Sequence, residues 1–268
     1  VKPQNFVGLT MTTALKPWPY PRWVAHRGAG KLAPENTLSA FRLGALHGYR
    51  FFECDAKLSK DGVLFLMHDA TLDRTTNASG VGGALTMGEI AQLDAGSWHS
   101  RAYAGEALPT LEALARWCLA NHLDLNVEIK PTPGQELETG RACGALMNRI
   151  WPQDITQPLF TSFKPEALQG AREVAPHIPR GLLVDKFADG TGDADLKIAT
   201  DLDCHAMVLN HALWDEALVA KVHGAGLRCS SYTVNDAWAA QRLIDLGTDG
   251  IITDRVDLFS PAQTGQHI

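Results

Sequence analysis

No stretch of this sequence approaches the roughly 18 consecutive apolar residues that a membrane-crossing helix requires, so it does not read as a membrane-spanning protein. Nor is there a basic cluster. The 24 Lys and Arg residues are scattered among 30 acidic ones, and a formal charge of −6 gives no general attraction to nucleic acid. The five cysteines, Cys54, Cys118, Cys143, Cys204 and Cys229, include no Cys-x-x-Cys pair. Their odd number and wide spacing argue against a disulfide framework and against a structural zinc site, and reduced thiols in the cytoplasm fit best. Gly28-Ala29-Gly30-Lys31 lacks the spacing of a nucleotide phosphate loop, with Leu32 where Ser or Thr is needed and Ala33 where a third glycine would stand. The first 21 residues contain no apolar core of signal-peptide length and are broken by Pro3, Pro17, Pro19 and Pro21. Residues 1–21 therefore read as a mobile leader, in which Met11 opens a stretch resembling a natural start.

What is present is an ordinary soluble composition, 45% apolar and 20% charged over 268 residues. That length suits a barrel of eight strand–helix repeats, which typically takes about 250 residues. Apolar strand candidates fall at 22–27, 51–56, 124–130, 158–162, 180–184, 205–209, 227–233 and 249–253. Between them amphipathic helices are expected near 35–47, 110–121, 135–150, 165–175, 193–201, 214–223 and 235–246, with a short last one after Asp254. Pro34 is expected to open the first helix and Gly48 to follow it, and Asn235-Asp236 read as caps of a later one. Eight strands alternating with helices predict an α/β fold of the (β/α)8 TIM-barrel class, one domain over 22–260 with a tail at 261–268. One segment breaks the repeat. After the second strand, Asp61-Gly62 signals a hairpin turn and a Gly-rich polar region runs on to Pro109. Residues 57–109 are therefore expected to form a small insertion at the C-terminal mouth of the barrel, where such folds build their active sites.

Five ionisable residues stand in short strand-like segments of the first half: His26, Glu53, Asp55, His68 and Glu128. Two-residue spacing puts Glu53 and Asp55 on one face of a strand, and likewise Glu128 and Lys130. Carboxylates inside apolar strands are costly unless something positive meets them, and three gathered together raise one another's pKa unless a cation neutralises them. A hard divalent metal, Mg²⁺ or Ca²⁺, is the simplest partner. Phosphodiester hydrolysis needs charge neutralisation on the non-bridging oxygens, removal of a proton from the nucleophile and protonation of the leaving alkoxide. Glu53, Asp55 and Glu128 offer the metal ligands, Arg27 and Lys130 can hold phosphate oxygens, and His26 and His68 can share acid and base duty near neutral pH.

The ordered set His26-Arg27-Gly28, Pro34-Glu35-Asn36-Thr37, Glu53-x-Asp55, Asp61-Gly62, His68-Asp69 and Glu128-Ile129-Lys130 resembles the glycerophosphodiester phosphodiesterase family. The match continues through Tyr232-Thr233-Val234-Asn235 and Gly250-Ile251-Ile252-Thr253-Asp254, so that it spans about 22 to 257. Segments such as Asp55-Ala56-Lys57-Leu58-Ser59-Lys60-Asp61-Gly62 are similar to the cytosolic bacterial branch encoded beside glycerol-3-phosphate uptake systems. The resemblance implies metal-dependent hydrolysis of glycerophosphodiesters to glycerol 3-phosphate and an alcohol. It implies Glu53, Asp55 and Glu128 as metal ligands, His26 and His68 as acid and base, and Arg27 and Lys130 as phosphate contacts. Tyr232 stands where many relatives have Trp, which bears on the shape of the glycerol or alcohol pocket rather than on the chemistry.

Plainer readings compete at each position. A lone His is more often a structural hydrogen-bonding residue, and Glu53 and Asp55 taken singly would be read as ion-pair partners of Arg27 and Lys130. Three carboxylates against two cations still leave a negative excess. Most of the seven tryptophans read as packing, with Trp98 a candidate for the pocket mouth. Two other functions compete: a phospholipase-type phosphodiesterase on lipid or lysolipid headgroups, and a catalytically silent barrel that binds a phosphorylated ligand. No amphipathic basic segment favours stable membrane association. The choice between Mg²⁺ and Ca²⁺, the alcohol moiety, direct water attack against a cyclic phosphate intermediate, and the assembly state stay open at this level.

Overall fold

The computed structural model describes residues 13–261. Its strands and helices follow in the order β1 Trp23–Ala25, α1 Leu38–Leu46, β2 Phe51–Leu58, β3 Leu64–Leu66, α2 Met87–Ile90, α3 Leu111–Ala120, β4 Asp124–Ile129, α4 Glu136–Ile150, β5 Leu159–Ser162, α5 Pro165–Val174, β6 Arg180–Val184, α6 Asp193–Asp201, β7 Ala206–Asn210, α7 Glu216–Gly224, β8 Arg228–Tyr232, α8 Ala237–Asp245 and β9 Gly250–Thr253. All strands but β3 pair in parallel with both neighbours, and the β1–β2 pairing closes the ring. The result is the expected eight-stranded TIM barrel. Among the described residues no helix is long and apolar enough to cross a membrane.

Alternation along each strand divides the core in two. On β2, Phe52, Cys54 and Ala56 pack outward beneath the helices, whereas Phe51 joins Val24, Leu159, Val208 and Ile252 in a separate cluster inside the ring. Glu53, Asp55 and Lys57 continue the inward row towards the C-terminal end, and the row turns from apolar to charged as it climbs. All five cysteines are buried and unpaired.

The insertion begins as an extension of the barrel. β2 runs on to Leu58, and β3 returns antiparallel to it with Ala56 opposite Leu66 and Leu58 opposite Leu64. The turn is held by the Ser59 hydroxyl donating to Asp61 Oδ1 at 2.6 Å and by Gly62 at a φ of +78°, a left-handed conformation that favours glycine. Beyond β3 the segment builds its own small core from Phe65, Met67, Leu72, Ile90, Ala95 and Leu108. Because the Met67 amide bonds the Asp55 carbonyl at 2.9 Å, the next residue, His68, is delivered to the C-terminal rim beside β2.

Three expectations are corrected. The first helix starts at Leu38 rather than at Pro34, because Asn36 takes a left-handed φ of +60° and Thr37 supplies the cap, accepting from the Ala40 amide. After Asp254 the chain makes a turn and no helix forms among the described residues. The leader 1–21 falls partly outside the described residues, but 13–21 is anchored rather than loose. Lys16 bonds the Cys204 carbonyl at 2.7 Å and pairs with Asp203, and Arg228 Nε donates to the Lys16 carbonyl at 2.6 Å. Tyr20 then closes the N-terminal end of the barrel, stacked on Phe51 at 4.8 Å with its hydroxyl donating to the Gln157 carbonyl at 2.9 Å. The tail 262–268, like residues 1–12 with Met11, lies outside the described residues.

This plug predicts a graded loss of stability. Tyr20→Phe should cost about 1 kcal/mol, the net worth of one hydrogen bond, and Tyr20→Ala about 3–5 kcal/mol for an emptied aromatic site. Urea unfolding followed by fluorescence would measure both, and indistinguishable near-zero shifts would show that the segment packs nothing.

Candidate active site

Strand register brings the ionisable residues together at the C-terminal mouth. Asp55 on β2 lies directly beside Glu128 on β4, and Glu53 beside Asn126. Ala25 on β1 pairs with Phe52 on one side and Thr253 on the other, so the following residue, His26, sits between Glu53 and Asp254. Glu53, Asp55 and Glu128 each offer a carboxylate oxygen, and the three oxygens lie within 4.8 Å of one another. All three residues are buried. A cavity of about 150 Å³ opens above them, lined among others by His26, Arg27, Glu53, His68, Glu128 and Lys130.

Hydrogen bonding fixes each acid only in part. Asp55 Oδ2 accepts from Asn36 Nδ2 at 2.8 Å while Asn36 Oδ1 accepts from the Asp55 amide, which explains the strained left-handed turn at Asn36. Glu53 Oε2 accepts from the Arg27 amide at 3.1 Å, and Arg27 too is left-handed, with a φ of +50°. Glu128 Oε1 accepts from Lys130 Nζ at 2.7 Å. Glu53 Oε1 and Asp55 Oδ1 are buried with no hydrogen-bond partner. A second group of similar composition makes the contrast. In His223, Cys229 and Asp249, one Asp249 oxygen accepts from Arg228 at 2.8 Å and the other from His223 and the Cys229 amide. That carboxylate is already satisfied by the chain and the other set is not, so the donor set Glu53, Asp55 and Glu128 suits a hard cation.

Electrostatics point the same way. Burial first, and the Asp55 charge next, push the Glu53 and Glu128 carboxyls above their ordinary range. Asp55 is pushed up by burial too, but Arg27, Lys130 and His68 outweigh this and hold it low. The Arg27 guanidinium lies 3.2 Å from Asp55 and 2.9 Å from Glu35, so its charge is shared beyond the three acids.

Both imidazoles line the cavity with the same wiring. His26 Nδ1 lies 2.6 Å from Asp254 Oδ1, and His68 Nδ1 lies 2.6 Å from Asp69 Oδ1. Each ring thus keeps its Nε2 for the cavity side. Their environments differ. Burial lowers the His26 pKa, but the bond to Asp254 and the Glu53 charge more than reverse it and the net shift is upward. At His68 burial outweighs the neighbouring acids and the net shift is downward.

The eight candidate ligand, acid–base and substrate-contact residues lie at this mouth, including Tyr232, whose ring meets Phe163 edge-on at 5.8 Å while Lys130 Nζ lies 5.5 Å from the Phe163 centroid. Trp98 does not line the cavity; it lies under the Arg74 guanidinium at 6.0 Å. Sequence reasoning assigned no role in the site to Asn36, Glu35, Asp69, Arg74, Phe163 or Asp254, and it read Asn235 with Asp236 as a helix cap, where the structure gives the cap to Asp236 and sets Asn235 against Asp254. Asp254 ends the last strand and Asp69 follows His68 directly, so position at a strand end and adjacency to a candidate His were the available signals. Gly30 has a structural role here: a β-carbon at that position would meet the Asp254 carbonyl at 2.1 Å, so the loop after β1 can lie flat on the segment that orients His26.

Comparison with known proteins agrees with this geometry. Residues 26–258 match the Glycerophosphoryl diester phosphodiesterase family. The chain is 32% identical over 238 residues to a glycerophosphodiester phosphodiesterase of Caldanaerobacter subterraneus, covering 86% of this chain and 93% of the relative. It is 31% identical over 260 residues to a glycerophosphodiester phosphodiesterase of Bacillus subtilis, covering 90% and 86%. Among solved structures it is similar to a phosphodiesterase of Oleispira antarctica in complex with the product sn-glycerol-3-phosphate. That likeness has a TM-score of 0.84 at 33% identity and covers 91% of this chain and 98% of the other.

The Asp254 environment gives a pH prediction. Burial raises its pKa, but the bonds from His26 and Asn235 prevail and hold it at about 2, against roughly 3.9 in an unfolded chain. A depressed acid stabilises the fold above the unfolded value and loses that contribution as pH falls through the folded one. Stability of the wild type should therefore drop more steeply than that of Asp254→Asn between about pH 4 and pH 2. Parallel acid limbs in chemical unfolding would show that Asp254 carries no such linkage.

Proposed function

The chain belongs to the glycerophosphoryl diester phosphodiesterase family, and on that premise we propose that it hydrolyses glycerophosphodiesters to glycerol 3-phosphate and an alcohol, with a divalent ion at Glu53, Asp55 and Glu128. The observation that carries the proposal is the convergence, in one cavity, of two aspartate-bound imidazoles and a buried carboxylate trio with two unpartnered oxygens.

A divalent ion bound there would neutralise the excess charge of the acids and draw electron density from a phosphate oxygen. The remaining duties fall to side chains. Arg27 and Lys130 line the cavity and contribute positive charge towards non-bridging oxygens, Arg27 with a planar fork and Lys130 as a point charge. His68, shifted towards its neutral form, suits removal of a proton from the attacking hydroxyl or water through Nε2. His26, shifted towards its protonated form, suits delivery of a proton from Nε2 to the departing alkoxide. Its leading support is the hydrogen bond to Asp254, which is not one of the proposed ligands. Tyr232 and Phe163 give the cavity an aromatic side against which the carbon skeleton of a glycerol or alcohol moiety can pack.

Release of glycerol 3-phosphate from glycerophosphocholine, glycerophosphoethanolamine and glycerophosphoglycerol tests the proposal directly. Activity should vanish after thorough chelation and return with Mg²⁺ or Ca²⁺, and full activity in the metal-free protein would refute the ion's part. His26→Ala and His68→Ala should each lower turnover roughly 10²–10⁴-fold, whereas near-normal rates would reassign the proton work.

A further inference from the structure

The two imidazoles stand on different parts of the chain. His26 lies just beyond β1 and is oriented by Asp254, which is itself held by the Asn235 side chain and backbone contacts at the barrel rim. His68 lies on the insertion, just beyond β3, which among the described residues is the one strand outside the closed ring. Something must fix the insertion laterally if the two Nε2 atoms are to face one substrate. Other contacts cross the gap, such as His99 to the Lys31 carbonyl, but Arg74 bridges from the aspartate that binds His68 to the loop after β1. Arg74 Nε and Nη2 donate to Asp69 Oδ2 and Oδ1 at 2.7 and 3.0 Å, while Nη1 and Nη2 donate to Glu35 Oε2 and Oε1 at 2.7 and 2.8 Å. The same Asp69 Oδ1 binds His68 Nδ1, and the same Glu35 Oε1 accepts from Arg27. Trp98 supports one face of the guanidinium and is tied by its own indole N–H to the Ala95 carbonyl at 2.9 Å.

We propose that Arg74 is a positioning residue that clamps the insertion to the loop after β1 and thereby sets the place of His68 relative to His26 and Arg27. This rests on the phosphodiesterase reading above. A guanidinium suits the task because its planar fork engages two carboxylates at once in fixed directions, which a lysine ammonium does not reproduce. The clamp lies outside the cavity lining, so it acts through Asp69 rather than on substrate.

Its loss should therefore appear in turnover more than in binding. Arg74→Ala is expected to lower kcat about 10- to 100-fold, the scale of a misplaced catalytic group, with KM within about threefold of wild type. Millimolar guanidinium should restore part of the lost kcat in Arg74→Ala and do nothing for wild type. Arg74→Lys should fall between the two, and it serves as the test if Arg74→Ala does not fold. Hydrogen exchange gives a readout independent of turnover: amides of residues 67–76 should exchange faster in either variant, with the barrel strands unchanged. The proposal is overturned if kcat stays within about twofold of wild type, if the loss appears in KM alone, if guanidinium restores none of the kcat lost in Arg74→Ala, or if exchange in 67–76 is unaltered. Wild-type protein that releases no glycerol 3-phosphate from any diester would instead overturn the underlying reading, and exchange would then decide the clamp separately.

Discussion

Three carboxylates in one buried corner of the barrel repel one another, and the surrounding architecture answers that repulsion. With oxygens within 4.8 Å of one another and an effective dielectric constant of about 20, each pair of ionised carboxylates would cost at least roughly 3 kcal/mol. Arg27 and Lys130 offset part of this, yet Arg27 also serves Glu35, so the corner keeps a negative excess. The chain spends further structure on holding the acids in place. Arg27 and Asn36, two of the four non-glycine residues in left-handed conformation among the described residues, each donate to one of them. Strain of this kind persists only where neighbouring interactions over-determine it. A barrel built for stability alone would place apolar side chains at these inward positions, as it does lower down at Phe51, Leu159 and Val208.

Strand periodicity made the centre of the site legible. Glu53 and Asp55 share a face by the two-residue repeat, and neighbouring parallel strands then need only ordinary register for Glu128 to fall beside them. All eight barrel strands were legible for a related reason: buried β-branched and aromatic runs alternate with helices of the length a crossover requires. The residues around the acids were harder to read because their roles depend on contacts across the mouth. Asp254 meets His26 over 228 positions of sequence, and Arg74 meets Glu35 over 39, with no periodic pattern to join them. Local chemistry misled at the first helix. Pro34 is suited to an N-terminal position, but Asn36 reaches Asp55 from a left-handed turn, and the helix starts after it at Leu38 with Thr37 as its cap. It misled again at the leader, where closely spaced prolines suggested a loose segment. Prolines also favour extended chain, and extended chain can lay Trp18 and Tyr20 against the open end of a barrel.

The two histidine–aspartate pairs show how one chemical unit is supported differently in two settings. Asp254 follows the central run of β9, so the barrel's own hydrogen bonding restrains it, and a neutral amide from Asn235 is enough to orient its second oxygen. Asp69 has no such frame. It follows the short strand β3, its side chain is 28% exposed, and the segment beyond it packs on a core of only a few residues. An amide at that position would compete with water, whereas a charge-assisted double fork holds direction as well as distance. The insertion therefore relies on ion pairing where the barrel relies on backbone geometry. The placement of His68 thus depends on two kinds of contact, the backbone pairing of β3 with β2 up to Met67 and the side-chain clamp on Asp69 beyond it. The acids themselves stand on β2 and β4, whereas the insertion reaches them through the Met67 amide on the Asp55 carbonyl and through Glu35, which Arg74 and Arg27 share.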